Sequence, residues 1–432
     1  MGTKRRNSAT SPFFSRSYAG YTRAQMKTIA ANIRQKKLSV FDPMAGQAHA
    51  ISSLTWLGHD VWLNDYNPAL ILLAWLRSRA VLNDLEILLH RYLDWLSGVE
   101  LPSFDSGTNR DTAIEFHQGW IAPHVQDGLF EYANQLDGRS IGELFQDESN
   151  CRDELFKWAS VVLAARRLVT YSKSDNTTWL KPGGLIRHTD IKKEIIQELE
   201  KLATWRREKT DRFGSSVFSS SESIASFSVS EAKNLKIDFA RNADVVVCSP
   251  PYANRLDYSA MWAPELKVFE MLSDDSIFQQ VKEAQIASTV TKGRQFHESD
   301  LDAIATDVSR SLKEIRDSKE YASIGYYYPY FANFCLDLHK SILSAAAASA
   351  SAKMWLVFIR DTTRKDTLVE SHRVVEFALE QAGFRRTDDT EFDIVRSHIG
   401  VARKGYAKQT LHGLAQREWS LIFTSVGGKH AG

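Results

Sequence analysis

Apolar and polar positions along the chain follow two rhythms in turn, a helical one and a strand-like one. From Thr22 onward, Met26, Ile29, Ala30 and Ile33 recur at helical spacing and predict a helix with one apolar face. Leu38-Ser39-Val40-Phe41 is a short apolar run that reads as a strand, ended by the turn Asp42-Pro43-Met44-Ala45-Gly46. A following helix is expected to bury Ile51, Leu54 and Leu57 and to stop at Gly58, whose missing β-carbon suits a left-handed cap. Val61-Trp62-Leu63 is the next strand, and Asn67 then caps a helix carrying Pro68 at its first position. Strand, turn, helix, strand, turn, helix in succession is a βαβ signature with a right-handed crossover.

Residues 70–220 are mainly helical in pattern, with a serine-rich loop at 215–223. Ile224 to Val229 reads as a strand, and Val245-Val246-Val247-Cys248 is the clearest strand of the chain. An apolar run that short, bounded by turn residues, belongs in a parallel sheet buried on both faces. Residues 271–322 are charged and mostly helical. Phe331 to Ala345 predicts a buried helix, Met354 to Ile359 a strand, and Val369 to Ala382 a helix closed by Gly383. Phe392-Asp393-Ile394-Val395 and Trp419 to Phe423 read as a closing antiparallel hairpin. The expected fold is α/β, one mostly parallel sheet with helical insertions. Its sheet domain is discontinuous (1–70, 222–270 and 323–432), interrupted by a helical insertion at 71–221 and a smaller one at 271–322.

Composition narrows this only a little. A chain of 432 residues, 43% apolar and 25% charged, has material for a sizeable core, and its net charge of +1 neither favours nor opposes nucleic acid as a partner. Cys151, Cys248 and Cys335 lie far apart at no metal-ligand spacing, which suggests a reducing compartment and no bound metal. No apolar stretch is long enough to span a membrane, and Lys4-Arg5-Arg6 has no apolar core behind it to make a secretory signal. A cytoplasmic location without membrane attachment is expected.

Chemistry concentrates where the strands end. Ser249-Pro250-Pro251-Tyr252 directly follows the Val245–Cys248 strand. Two prolines forbid further ladder bonding, so a hydroxyl, a stiff carbonyl-presenting turn and an aromatic ring are set at the carboxyl edge of the sheet. Open α/β sheets bind ligands at that edge. The turn at Asp42–Gly46 presents backbone amides, with Gly46 allowing close approach of a ligand. Asp65, at the end of the next strand, is placed to accept hydrogen bonds from both ribose hydroxyls of an adenosine-containing cofactor. Taken singly, Asp42 and Asp65 also fit as ordinary loop acids; their pairing with the Ser249–Tyr252 turn favours a site. A nicotinamide cofactor needs three glycines here, and Gly46-Gln47-Ala48-His49-Ala50-Ile51 offers only the first.

Asp42-Pro43-Met44-Ala45-Gly46, Asn64-Asp65-Tyr66-Asn67-Pro68 and Ser249-Pro250-Pro251-Tyr252 together resemble the amino-methyltransferases of DNA. The resemblance implies a Rossmann-like class I methyltransferase sheet with S-adenosylmethionine as cofactor. Asp42, Pro43, Met44, Ala45 and Gly46 would form the methionine-side loop, Asp65 and Asn67 the ribose-binding segment, and Tyr21 the end of an aromatic stretch, Phe13 to Tyr21, that closes over the cofactor. Glu231 is the candidate adenine-contacting acid, with a solvated surface glutamate as the alternative. Asn254 to Tyr258 and Pro264-Glu265-Leu266 are similar to the continuation of the catalytic loop in serine-containing members. Ala48 and His49 depart from the family, which usually has glycine and then serine or threonine there. The likeness covers the sheet domain and leaves the insertions aside.

The implied chemistry is methylation of an exocyclic base amino group, whose lone pair is delocalised into the ring. Ser249 Oγ and the Pro250 carbonyl would accept its two protons' hydrogen bonds and localise that pair. Tyr252 would stack on the base, a contact worth roughly 1–3 kcal/mol. The base must be flipped out of double-stranded DNA to reach such a turn. Cys248 is expected in the core. Serine at the first position points by resemblance to cytosine N4 over adenine N6, and a cognate restriction endonuclease is a possible partner. RNA base methylation and non-catalytic nucleic-acid binding remain as alternatives. Target reading is expected in the insertion, where Arg166, Arg167, Lys173, Lys181, Arg187, Lys192, Lys193, Arg206, Arg207, Lys209 and Arg212 accumulate with Tyr171, Trp179 and Trp205 interleaved. The competing reading is a solvated helical surface over core tryptophans. Lys292-Gly293-Arg294 and Tyr326-Tyr327-Tyr328 are weaker candidates.

Overall fold

The computed structural model describes residues 21–33, 37–48, 51–101, 120–172, 180–183, 190–213, 223–253, 257–273, 276–286, 288–289, 296–318, 322–364, 367–393 and 417–426. The main sheet is built from β1 (Ser39–Asp42), β2 (Asp60–Asp65), β3 (Ala225–Val229), β4 (Val245–Cys248), β5 (Met354–Arg360), β6 (Phe384–Asp393) and β7 (Arg417–Ser425). Its spatial order is β6-β7-β5-β4-β1-β2-β3. From β5 across to β3 every neighbouring pair is parallel, while β7 runs antiparallel to both β5 and β6. This is an α/β architecture compatible with a Rossmann-like fold, closed by the expected hairpin.

Both faces of the sheet are covered, and side-chain alternation divides its residues between two apolar clusters. Val40, Val61, Leu63, Val245, Val247, Leu356 and Phe358 enter one, and Phe41, Val246, Cys248, Trp355, Val357 and Ile359 enter the other. Coverage on two sides is why Val245–Cys248 needs no polar residue: all four positions are buried.

The first cluster is roofed by α1 (Arg23–Ile33), α2 (Pro68–Leu76), α3 (Glu148–Leu168), α4 (Ile191–Phe213) and α5 (Ala263–Ser273), and the second by α6 (Tyr328–Ala348) and α7 (Ser371–Gln381). Every residue of α2 is buried, so this helix needs cover all round. It obtains it from β2 and β3 beneath and α3 above. The expected boundary at residue 70 therefore falls inside α2, and the described helices of 71–221 share one continuous core with the sheet.

Local expectations shift at several points. The element after β1 is a 3₁₀ helix, Ser52–Leu57. Ile51 and Leu54 are buried as expected, but Leu57 is 69% exposed, because the chain reverses beside it at Gly58 (φ 85°). Val369 belongs to a short ribbon of Thr362–Arg364 with Thr367–Val369, and the helix begins only at Ser371. The first hairpin strand starts at Phe384, well before the run that signalled it; Ile394 and Val395 lie outside the described residues.

Candidate functional site

The carboxyl ends of β1, β2, β3 and β4 deliver four loops to one edge of the sheet, and a set of hydrogen bonds ties the first three loops together. The amide of Ala45 donates to the Asn64 carbonyl at 2.9 Å, and the amide of Gly46 donates to Asp65 Oδ2 at 2.8 Å. Asn64, fully buried, donates through Nδ2 to the carbonyls of Pro43 and Ser230, each at 3.0 Å, and accepts from Ser230 Oγ at 2.8 Å. One side chain thus braces the loops after β1 and β3 against β2. Asp65 Oδ1 also accepts from the Asn67 amide at 2.9 Å, and the Asn67 side chain caps α2 through the amides of Ala69 and Leu70.

The turn after β1 is left-handed at two positions, Gly46 (φ 53°) and Ala48 (φ 46°). A β-carbon added at Gly46 would meet no atom within 4 Å, so the turn presents an open face there. Pro43 and Ala45 are buried and Met44 is half-buried. Asp42 has no exposure; it accepts from Tyr21 Oη at 2.8 Å and from the Met44 amide at 3.1 Å. Burial lifts its carboxyl to about 7 in spite of these donors. Burial likewise raises Asp65, opposed by the amides of Asn67 and Gly46.

The turn after β4 reaches the same place. Burial holds the Tyr21 phenol well above its ordinary range, with Asp42, Cys248 and Tyr252 all close enough to add to the effect. The Tyr21 hydroxyl is bonded to Asp42 at the end of β1, and its ring packs edge-on to Phe358 of β5, centroids 5.6 Å apart. Tyr252 Oη donates to Glu418 Oε1 on β7, and the buried Gln25 of α1 donates to the same oxygen at 3.0 Å. The Tyr252 amide donates to Tyr258 Oη at 3.4 Å. Burial and then Glu418 hold the Tyr252 phenol high, so it stays a donor. Pro250 is buried, with Ser249 and Pro251 half-buried. Burial pushes the Cys248 thiol up, with Asp42 adding to the effect, which keeps it protonated and unreactive.

Tyr21, Asp42, Gly46, Asp65, Asn67 and Ser249–Tyr252 are thus gathered at one edge. Glu231 follows β3 at that edge, but its carboxylate is engaged by Lys233 at 3.3 Å and Asn234 at 3.0 Å. Asn64, Ser230, Gln25 and Glu418 carry contacts that no local pattern announces. Asn64 immediately precedes Asp65 in the chain, and Glu418 lies 166 positions from Tyr252.

The basic stretch divides. Arg166 pairs with Glu265, donates to the Met261 carbonyl at 2.9 Å and sits over the Trp262 ring. Arg167 binds Glu194 and Glu198, Arg206 binds Glu86, and Trp205 packs edge-on to Trp56. These residues knit helices together, as in the competing reading of this stretch. Lys193 and Arg207 are exposed. Tyr326–Tyr328 stand where a π-helical turn, Ser323–Tyr327, runs into α6, with Tyr326 stacked on Tyr330. Phe13 to Tyr18, His49, Lys173, Trp179, Arg187, Asn254 to Leu256 and Lys292 to Arg294 lie outside the described residues.

A separate concavity, lined by Leu343, Ala346, Ala352, Gly383, Phe384 and Ser425, opens at the opposite edge of the sheet and holds no charged side chain. Among the described residues no cluster of His, Cys, Asp and Glu has the makings of a metal site, and no helix is long and apolar enough to cross a membrane. The chain matches no protein-family model, no curated protein and no solved structure.

Proposed function

We propose that this chain is an S-adenosylmethionine-dependent methyltransferase acting on an exocyclic base amino group of DNA, cytosine N4 in first place. The observation that carries the reading is the meeting of the β1 turn, Asp65 and the β4 turn at one carboxyl edge, with Tyr21 bonded to Asp42 and with Gln25 and Tyr252 sharing Glu418. The antiparallel β7 in a mostly parallel sheet agrees with the sheet such an enzyme needs.

The residues present fit the cofactor. Two buried carboxylates, Asp42 and Asp65, suit a ligand that carries positive charge, and the open face at Gly46 admits close approach. Asp65 keeps acceptor capacity for ribose hydroxyls, since an ionised carboxylate has about four lone-pair sites. When bound, the cofactor supplies an electrophilic methyl group. Glu231 is a weaker contact in this scheme, because Lys233 and Asn234 already hold its carboxylate.

Ser249 Oγ and the Pro250 carbonyl would accept from the amino group and localise its lone pair, while Tyr252 offers its ring face to the base. Anchoring Tyr252 by its hydroxyl to Glu418 restricts the ring without using that face. Positioning and electrostatics then supply the rate, with no covalent intermediate. A base in a duplex must be turned out to reach this edge.

The test is mass spectrometry of nucleosides from DNA, and separately RNA, incubated with the protein and S-adenosylmethionine. The reading expects 4-methylcytosine in DNA. 6-Methyladenine would move the target, modified RNA alone would move the substrate, and no product in any arm would abandon methyl transfer for plain nucleic-acid binding.

A further inference from the structure

We propose that Gln285, in the smaller insertion, reads the target base: its side-chain amide is the partner of the ring edge beside the amino group that Ser249 and Pro250 would hold. The inference rests on the methyltransferase reading above and deepens it. Among the described residues neither Oε1 nor Nε2 of Gln285 has a hydrogen-bond partner, and both atoms are closed off from solvent. The residue as a whole is half-buried, so it is the amide end that turns inward. A buried amide without partners costs stability, and a ligand that meets it removes that cost.

Gln285 closes the helix Ile277–Ala284, its main-chain amide donating to the Val281 carbonyl at 3.1 Å and its carbonyl accepting from the Ser288 amide at 3.1 Å. Lys282 stands one turn earlier on the same flank of this helix, and its ammonium reaches Asp257 Oδ2 at 3.7 Å. Asp257 caps the short helix Tyr258–Met261 through the Ala260 amide at 3.0 Å. Tyr258, the first residue of that helix, accepts from the Tyr252 amide. The flank carrying Gln285 is thus tied to the end of the Ser249–Tyr252 turn by two successive side-chain contacts. Ile286, the next residue, enters the apolar cluster that holds Cys248 and Ala253, the residues on either side of that turn.

An amide suits this place chemically. Ser249 Oγ and the Pro250 carbonyl are acceptors that any exocyclic amino group satisfies, so they do not tell one base from another. Nε2 brings donors, and cytosine sets two acceptors, N3 and O2, beside its amino group. Adenine has one acceptor, N1, in the corresponding place, and guanine carries an N–H there. The amide therefore selects against guanine and favours cytosine over adenine, while Oε1 adds an acceptor on the amino side.

Gln285→Met keeps the length of the side chain and removes the amide. The two proteins are compared in urea unfolding and in kcat/KM for methylation of unmethylated plasmid DNA. The Met variant is expected to be at least as stable, since it loses no protein hydrogen bond, while kcat/KM falls roughly 10- to 100-fold. Gln285→Glu lacks the donor when ionised and regains one when protonated, so its deficit should shrink as pH falls from about 8 to about 6. A Met variant that is less stable or fails to fold shows an amide with a structural task and overturns the proposal. An unchanged kcat/KM in the Met variant, or a Glu deficit indifferent to pH, overturns it too, and in each case the methyltransferase reading stands. No transfer by the unaltered protein to any nucleic acid removes that reading, and the role of Gln285 with it.

Discussion

The amide of Gly46 and the carboxylate of Asp65 meet at 2.8 Å, so the turn leaving β1 is buckled to the end of β2. The same carboxylate takes the Asn67 amide, which couples the buckle to the start of α2. Asp65→Ala should therefore lose stability as well as ligand affinity. Two amides left without an acceptor predict a cost of about 1–3 kcal/mol in urea unfolding. Calorimetric titration with S-adenosylmethionine should show binding weakened at least about tenfold, a loss near 1.4 kcal/mol. Asp65→Asn keeps an acceptor oxygen and should fall between the two; an Ala variant as stable as the unaltered protein would show that the buckle contributes nothing.

Ala48 occupies backbone that glycine adopts freely and alanine does not, at φ 46°, and it is buried. The left-handed conformation costs an L-residue roughly 1–2 kcal/mol, while glycine gives back about 0.5–1 kcal/mol through the freedom of its unfolded chain. Ala48→Gly is predicted to be neutral or more stable by up to about 1 kcal/mol. Ala48→Val, branched and without room to relax, should lose about 2 kcal/mol or more. Denaturant midpoints of the pair measure this directly, and the reverse ranking would show an unstrained turn.

Asp42 makes stability depend on pH in an unusual direction. Its folded carboxyl titrates at about 7, above an unfolded value of about 3.9. Between those values the folded chain holds a proton that the unfolded chain has released, so stability contributed here declines as pH rises from about 4 to about 7 and is level above. At about 1.4 kcal/mol per unit the full span amounts to a few kcal/mol. Asp42→Asn abolishes this component. Unfolding of both proteins at about pH 5 and pH 8 should show the Asn variant gaining relative stability at the higher pH; an equal difference at both would contradict a buried, protonated Asp42.

Much of the sheet and the turns at its carboxyl edge can be read from local pattern. Val245–Cys248 announced a strand buried on both sides, and Asn67-Pro68 announced the start of α2, because a run of apolar residues and a cap are local events. The Ser249–Tyr252 turn was legible for the same reason, as proline acts on the backbone wherever it stands. The helix after β1 and its stop at Gly58 are legible in the same way, but that it is 3₁₀ and leaves Leu57 outside is not, since Ile51 and Leu54 suit either helix. The arginines at 166, 167 and 206 could not be sorted from sequence, since their acidic partners come from other helices.

By itself, then, the amino-acid order determined which segments form strands, where the chain must turn, and which residue types stand at those turns. It could not say that Asn64 would brace two loops, that Tyr21 would bond to Asp42, or that Glu418 would close on the Tyr252 hydroxyl. Only the tertiary structure decided those contacts, because backbone preference acts over a few neighbouring residues. A hydrogen bond between distant strands exists only once the packing of both sheet faces has set their register.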